Sequence, residues 1–132
     1  MIEVHPNERL LRDAYDAMAR GDGRTLGKLL TPETTWVIPG NGALAGRYQG
    51  PDEIVGFWKR IAEQTGGGLR LEVLDVLANE QRGVVLVAAR GERNGRQLDE
   101  RQVAVFEFGA DGTIDTATFI YEDPAAYDEF WH

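Results

Sequence analysis

The side chains available for chemistry in this sequence are few and of restricted type. There is no cysteine and no serine, which removes thiolate and serine-hydroxyl nucleophiles, disulfides and a Ser-His-Asp arrangement. The only histidines, His5 and His132, stand at opposite ends of the chain, so neither a three-histidine metal site nor a histidine pair at helical spacing can be assembled. A metal could be held only by carboxylates, and no metal site is expected. Proton transfer, if it occurs, falls to Asp, Glu or Tyr.

The elements that would carry these groups change type along the chain. Leu10, Leu11, Ala14, Tyr15 and Met18 recur at three- and four-residue spacing, predicting a helix capped by Asn7 and ended by Gly21. Asp22 caps a second, short helix burying Leu26, Leu29 and Leu30 and stopping before Pro32. Thr34 to Ile38 reads as a strand, and the glycine-rich stretch Pro39 to Gly50 as a loop. Pro51, Asp52 and Glu53 open a third helix burying Ile54, Phe57, Trp58 and Ile61, which Gly66-Gly67-Gly68 breaks.

From Leu69 the period becomes that of strands: Leu69 to Val73, Val84 to Ala89, Val103 to Phe108 and Ile114 to Tyr121. Asn94-Gly95 and Asp111-Gly112 offer positive backbone angles for tight hairpins, so the last three strands are expected to form an antiparallel meander. Tyr127, Phe130 and Trp131 suggest a final helix or tail packing back on the body. Helices first and a meander after is the order of an α+β fold, and 132 residues fit one domain spanning 1–132.

Charge and hydropathy exclude several partners. A net charge of −8 repels phosphate backbones, so no nucleic acid is expected. The longest apolar run, Val84 to Ala89, is far short of a membrane span, and Met1–Asn7 lacks the basic start and apolar stretch of a secretory leader. The expected location is the cytoplasm, away from membranes.

The order of elements and the local wording resemble one superfamily. Residues Tyr15–Gly21, TTWVIPG ending at Gly40, Leu44–Ile54 (LAGRYQGPDEI) and Asp123–Trp131 (DPAAYDEFW) are similar to the SnoaL-like, ketosteroid-isomerase-like branch of the nuclear-transport-factor-2-like superfamily. That resemblance implies a cystatin-like cone: a curved antiparallel sheet wrapped around the N-terminal helices, enclosing a small apolar pocket. It specifies fold more than chemistry. The isomerases' carboxylate base falls at Ile38 and their second acid at Ala104, so their mechanism is not expected here. Their oxyanion tyrosine falls at Ala14 or Tyr15. Limonene-epoxide-hydrolase-like relatives use an arginine and an acid two apart, as in Arg90 and Glu92, but their second acid falls near Phe119; a surface ion pair is the simpler reading.

Under this resemblance, alternation turns Trp36, Ile38, Gln102 and Ala104 inward, together with Phe119 and Tyr121. Phe57 and Trp58 approach from the helices. These eight form the expected ligand wall, with Val85, Val87 and Phe106 as packing. The polar tips of Tyr15, Trp36, Trp58, Gln102 and Tyr121 either contact a ligand or bond one another. Glu100 either shares the inward face, where burial would raise its pKa and suit it as a general base, or sits at a solvated strand end. Tyr15, Glu100 and Gln102 are thus the catalytic candidates. Asn41 and Tyr48 would rim the mouth.

Val103 and Val105, between Asp99, Arg101 and Glu107, would face away from the pocket and suit a homodimer seam. The functions implied are a cofactor-independent isomerase, cyclase, dehydratase or hydrolase acting on a mostly apolar ring compound, or a non-catalytic protein sequestering an apolar small molecule. A third is an interaction module using the outer sheet face.

Overall fold

The structure is a computed structural model that describes residues 4–131; His132 and the first three residues lie outside it. Its first helix, α1 (Pro6–Arg20), starts two residues earlier than a cap at Asn7 would place it. The cap is His5, not Asn7: the residue before a proline is biased to extended backbone, and from there the His5 Nδ1 accepts the Asn7 N–H at 3.1 Å. Asn7 instead donates from its side-chain amide to the Asn79 carbonyl at 3.0 Å. Gly21 ends α1 in the left-handed region, as expected, and Asp22 caps α2 (Gly23–Lys28) through the Thr25 N–H.

Leu30 belongs not to α2 but to the first strand, β1 (Leu30–Ile38). The strand is irregular between Leu30 and Thr35, where the Thr34 hydroxyl donates to the Ile114 carbonyl. A second strand, β2 (Gly46–Gln49), lies inside the stretch read as a loop and pairs antiparallel with Thr35 to Ile38. It has four residues and no apolar alternation, so nothing but its partner reveals it. Helix α3 (Gly50–Thr65) follows, with Pro51 in its first turn and Gly66 as its left-handed cap.

The remaining strands are β3 (Arg70–Ala78), β4 (Arg82–Arg93), β5 (Arg96–Phe108) and β6 (Ile114–Tyr121). Strands β4 and β5 run well past their apolar cores, because cross-strand pairing carries the polar ends along, while β3 continues to Ala78 through Leu74, Val76 and Leu77. Asn94 and Gly95 both have positive φ and close a two-residue hairpin, as anticipated. At Asp111-Gly112 only the glycine does; Asp111 accepts from Thr113, and the connection is wider than a two-residue turn.

The sheet order is β2-β1-β6-β5-β4-β3, antiparallel throughout except for the parallel β1–β6 pair. Irregularities in β1, in β3 between Val73 and Asp75, and in β5 at Glu107/Phe108 help the open sheet curve around α1 and α3. One core results, built from the concave face and the helices. Gly83 marks its tightest crossing: a Cβ there would collide with the Leu11 side chain of α1.

The C-terminal helix α4 (Pro124–Phe130), capped by Asp123, closes one end of the concave face with Tyr127, Phe130 and Trp131. It is held from outside. Asp128 Oδ1 accepts from the backbone N–H of Asn41 at 3.0 Å and of Gly42 at 3.3 Å, and Arg93 donates to the Phe130 carbonyl at 3.0 Å. Replacing Asp128 by Ala removes both acceptor contacts from a partly exposed site. The expected loss is about 1 kcal/mol of stability, read as a lower urea midpoint with an unchanged m-value.

Candidate functional site

The wall of the candidate site is aromatic because five elements deliver rings to the same concave surface. β1 contributes Trp36, which is fully buried and meets Phe119 of β6 at 5.3 Å, Phe106 of β5 at 5.8 Å and Trp58 of α3 at 6.5 Å between centroids. Edge-on contacts dominate, as ring quadrupoles favour. Tyr15 of α1 reaches the same group by an edge contact with Phe106 at 6.3 Å, while its neighbour Ala14 is buried against the core.

Around these rings a cavity remains, lined by Ile38, Phe57, Trp58, Gln102, Phe119 and Tyr121 of the expected set. Trp36 and Ala104 lie in the surrounding core instead. The cavity is nearly filled, with a volume of about 10 Å³, close to the space of a single water. Sequence reasoning left out the residues that fill it. Leu98 extends the inward alternation of β5 by one more step, and Tyr127 and Trp131 are an i, i+4 aromatic pair on one face of α4. That spacing was the available signal.

One charged group shares the interior. Glu100 is only 7% exposed and lies on the inward row of β5 between Leu98 and Gln102, so the solvated-end reading does not hold. Its Oε2 accepts from the Asp123 N–H at 3.3 Å, while Oε1 is buried without a partner. Burial pushes the carboxyl up to about 6; the Asp123 N–H and Gln102 pull it down, and the Asp123 and Glu122 charges push it up. Arg101, the next residue along β5, points outward and is bound to Glu122 at 2.7 Å.

The tyrosines around it hold their protons. Burial pushes Tyr15 and Tyr121 well above the ordinary phenol range, with Tyr127 and Glu100 adding to the effect on Tyr121. Tyr127, stacked on Tyr121 at 3.7 Å, is pushed up to about 12, again chiefly by burial. At neutral pH the cluster therefore offers one ionised acceptor beside neutral phenols. A tyrosine base is excluded; a tyrosine donor is not.

Other sequence candidates fall elsewhere. Arg90 and Glu92 are both exposed, and Arg90 bonds Asp99 at 3.3 Å across the β4–β5 ladder. Tyr48 donates to the Leu44 carbonyl at 2.6 Å and packs on Phe57, which gives it a structural task in pinning the β1–β2 connection. Asn41 engages α4 through its backbone. Among the described residues no three His, Asp or Glu side chains converge as a metal would require.

A family model for a SnoaL-like domain matches residues 11–116. The chain belongs to the SnoaL-like domain family. An uncharacterised Mycobacterium tuberculosis protein, Rv0034, is 35% identical over 123 residues, 92% of this chain and 93% of its own. Among solved structures, Bal32a from a soil-derived mobile gene cassette superposes with a TM-score of 0.90 at 31% identity, covering 96% of each chain. A nuclear-transport-factor-2-like protein of unknown function from Burkholderia pseudomallei does so at 0.84 and 25% identity, over 97% of this chain and 98% of that one. Against the SnoaL-like framework, the apolar Ile38 and Ala104 are both buried, and the interior acid of this chain stands at Glu100, four residues before Ala104 on the same strand face.

Because the folded pKa of Glu100 lies above its unfolded value, the favourable contribution of the protonated carboxyl is complete below about pH 4.5 and is lost as pH rises through about 6. Glu100→Gln mimics the protonated form. It should stabilise the protein by about 1 kcal/mol at pH 7.5, after allowance for solvent screening, and be neutral at pH 4.5. Urea unfolding at the two pH values tests this, and equal effects at both would contradict the burial of an ionised group.

Proposed function

We propose that this SnoaL-like protein binds a mostly apolar ring compound in the aromatic cavity and acts on it by general acid–base chemistry without a cofactor. The observation that carries the reading is the buried Glu100, with one unpartnered oxygen beside Tyr121, Tyr127 and Gln102. Glu100 serves as base, taking a proton from carbon or from water, and a neutral tyrosine steadies the oxygen on which charge develops. Isomerisation, cyclisation, dehydration and hydrolysis all use such a pair. The ligand reaches its place by displacing the ring side chains that fill the cavity in the unliganded chain.

Thermal unfolding against a panel of neutral ring ketones, epoxides and phenols identifies ligands, since one present at a hundred times its Kd adds about 2.7 kcal/mol of stability. For a compound that is turned over, kcat/KM should rise tenfold per pH unit below about 6 and level off above it. Glu100→Gln should keep the binding shift and lose roughly 10²-fold or more of the turnover. Unchanged turnover in that variant would sink the catalytic assignment. The absence of carboxylates at Ile38 and Ala104 supports a second reading, a sequestering protein, for which the bound compound is recovered chemically unchanged.

The same proposal includes a homodimer through the outer sheet face. Two apolar rows cross that face in register: Leu77, Val84 and Val105, then Leu86, Val103 and Ile120. Leu77 is 65% and Ile120 55% exposed, and the Arg101–Glu122 pair borders them. Light scattering should give twice the chain mass for the parent and the chain mass for Ile120→Glu; a monomeric parent would refute the dimer.

A further inference from the structure

A cavity this nearly filled can take a ring compound only if some part of its wall opens. The α4 end is shut: Tyr127, Phe130 and Trp131 are buried there, and Asp128 and Arg93 pin the helix from outside. Elsewhere a hollow of about 360 Å³ opens between the end of α1, the second half of α3 and the start of β3. Trp58, Ile61, Leu69 and Leu71 line this hollow and the inner cavity alike, so single side chains separate the two spaces. The groove over Leu26 and Val55, by contrast, shares only Trp58 with the cavity.

The four partition residues differ in how firmly their backbone is held. Trp58 and Ile61 stand within α3, and Leu71 is paired with Ala89 in the β3–β4 ladder. Leu69 is held by neither. Pairing of β3, an edge strand, begins at Arg70, and Leu69 follows three consecutive glycines, of which Gly66 and Gly67 have positive φ. Gly66 alone caps α3, so the other two are not needed to end the helix; what they add is backbone freedom. Leu69 is half-buried and rests on Gly91 of β4, where an added Cβ would come within 3.1 Å of Leu69 Cδ1 and 3.3 Å of its Cα. A bare backbone at Gly91 therefore lets the leucine lie down against the sheet.

We infer that Leu69 is the gate of the inner cavity. Residues 66–69 swing away from Gly91, and a ring compound passes from the hollow between Leu71 and the α3 residues Trp58 and Ile61. The gate rests on the reading of the interior as the ligand site. It controls how fast that site is reached and left, as mobile loops over enclosed sites do. The α4 rings stay in place as the closed end.

The chain contains no cysteine, so one introduced thiol reports on access without background. Ile38 is 3% exposed and lines the cavity but not the hollow. In Ile38→Cys, the rate of reaction with 4,4′-dithiodipyridine, a neutral ring disulfide, measures how often the interior opens to a molecule of this kind. Adding Leu69→Ala should raise that rate about tenfold or more; Leu71→Ala widens the same aperture and replaces it if Leu69→Ala alters folding. Asp128→Ala, which loosens α4, should leave the rate within about twofold although it lowers the urea midpoint. A greater acceleration by Asp128→Ala than by the leucine variant would put the entrance at α4 and overturn the gate. So would a rate unchanged by the leucine variant, a thiol that reacts in no variant, or rates that simply follow the urea midpoint, which mean access by global unfolding. Neither substrate nor turnover enters the measurement, so failure of the gate and failure of Glu100 as a base are read separately.

Discussion

The concave face of a curved sheet must be filled, and here it is filled with rings. Trp36 stands at the centre, touched by Trp58, Phe106 and Phe119 from three other elements, so the positions of β1, β5, β6 and α3 depend on one indole. The arrangement costs hydrogen bonds. Trp36, Trp58 and Trp131 each bury Nε1 without a partner. Leaving such a donor unmet costs about 1–3 kcal/mol, whereas burying an aromatic side chain of roughly 200 Å² is worth about 5 kcal/mol. Ring burial wins at each position, and the unmet donors remain as places where a bound acceptor would gain most.

Against that apolar filling Glu100 is the exception. Among the described residues no cation acts on this carboxylate, and Arg101 on the same strand faces outward to Glu122. Its Oε2 accepts the backbone N–H of Asp123 at the start of α4. The phenols beside it are displaced in the same direction by the same cause, loss of water, but from a starting point far above neutrality. One desolvated environment therefore separates the groups into a single acceptor that titrates near neutrality and several donors that do not. That separation is what acid–base chemistry requires.

The parts of this structure legible in the sequence are those set by local backbone chemistry. Gly21 and Gly66 end helices in the left-handed region, Asp22 caps, and Asn94-Gly95 turns a hairpin, each for reasons contained in a few residues. The inward set was legible through strand alternation once the resemblance supplied which face is concave. The remainder depends on partners distant in sequence. β2 exists because β1 offers it a ladder, and the cavity is closed by α4 rings that meet Leu98 and Gln102 of β5. Whether Glu100 faced solvent or the interior turned on how far β5 extends beyond its apolar core, and pairing with β4 decides that.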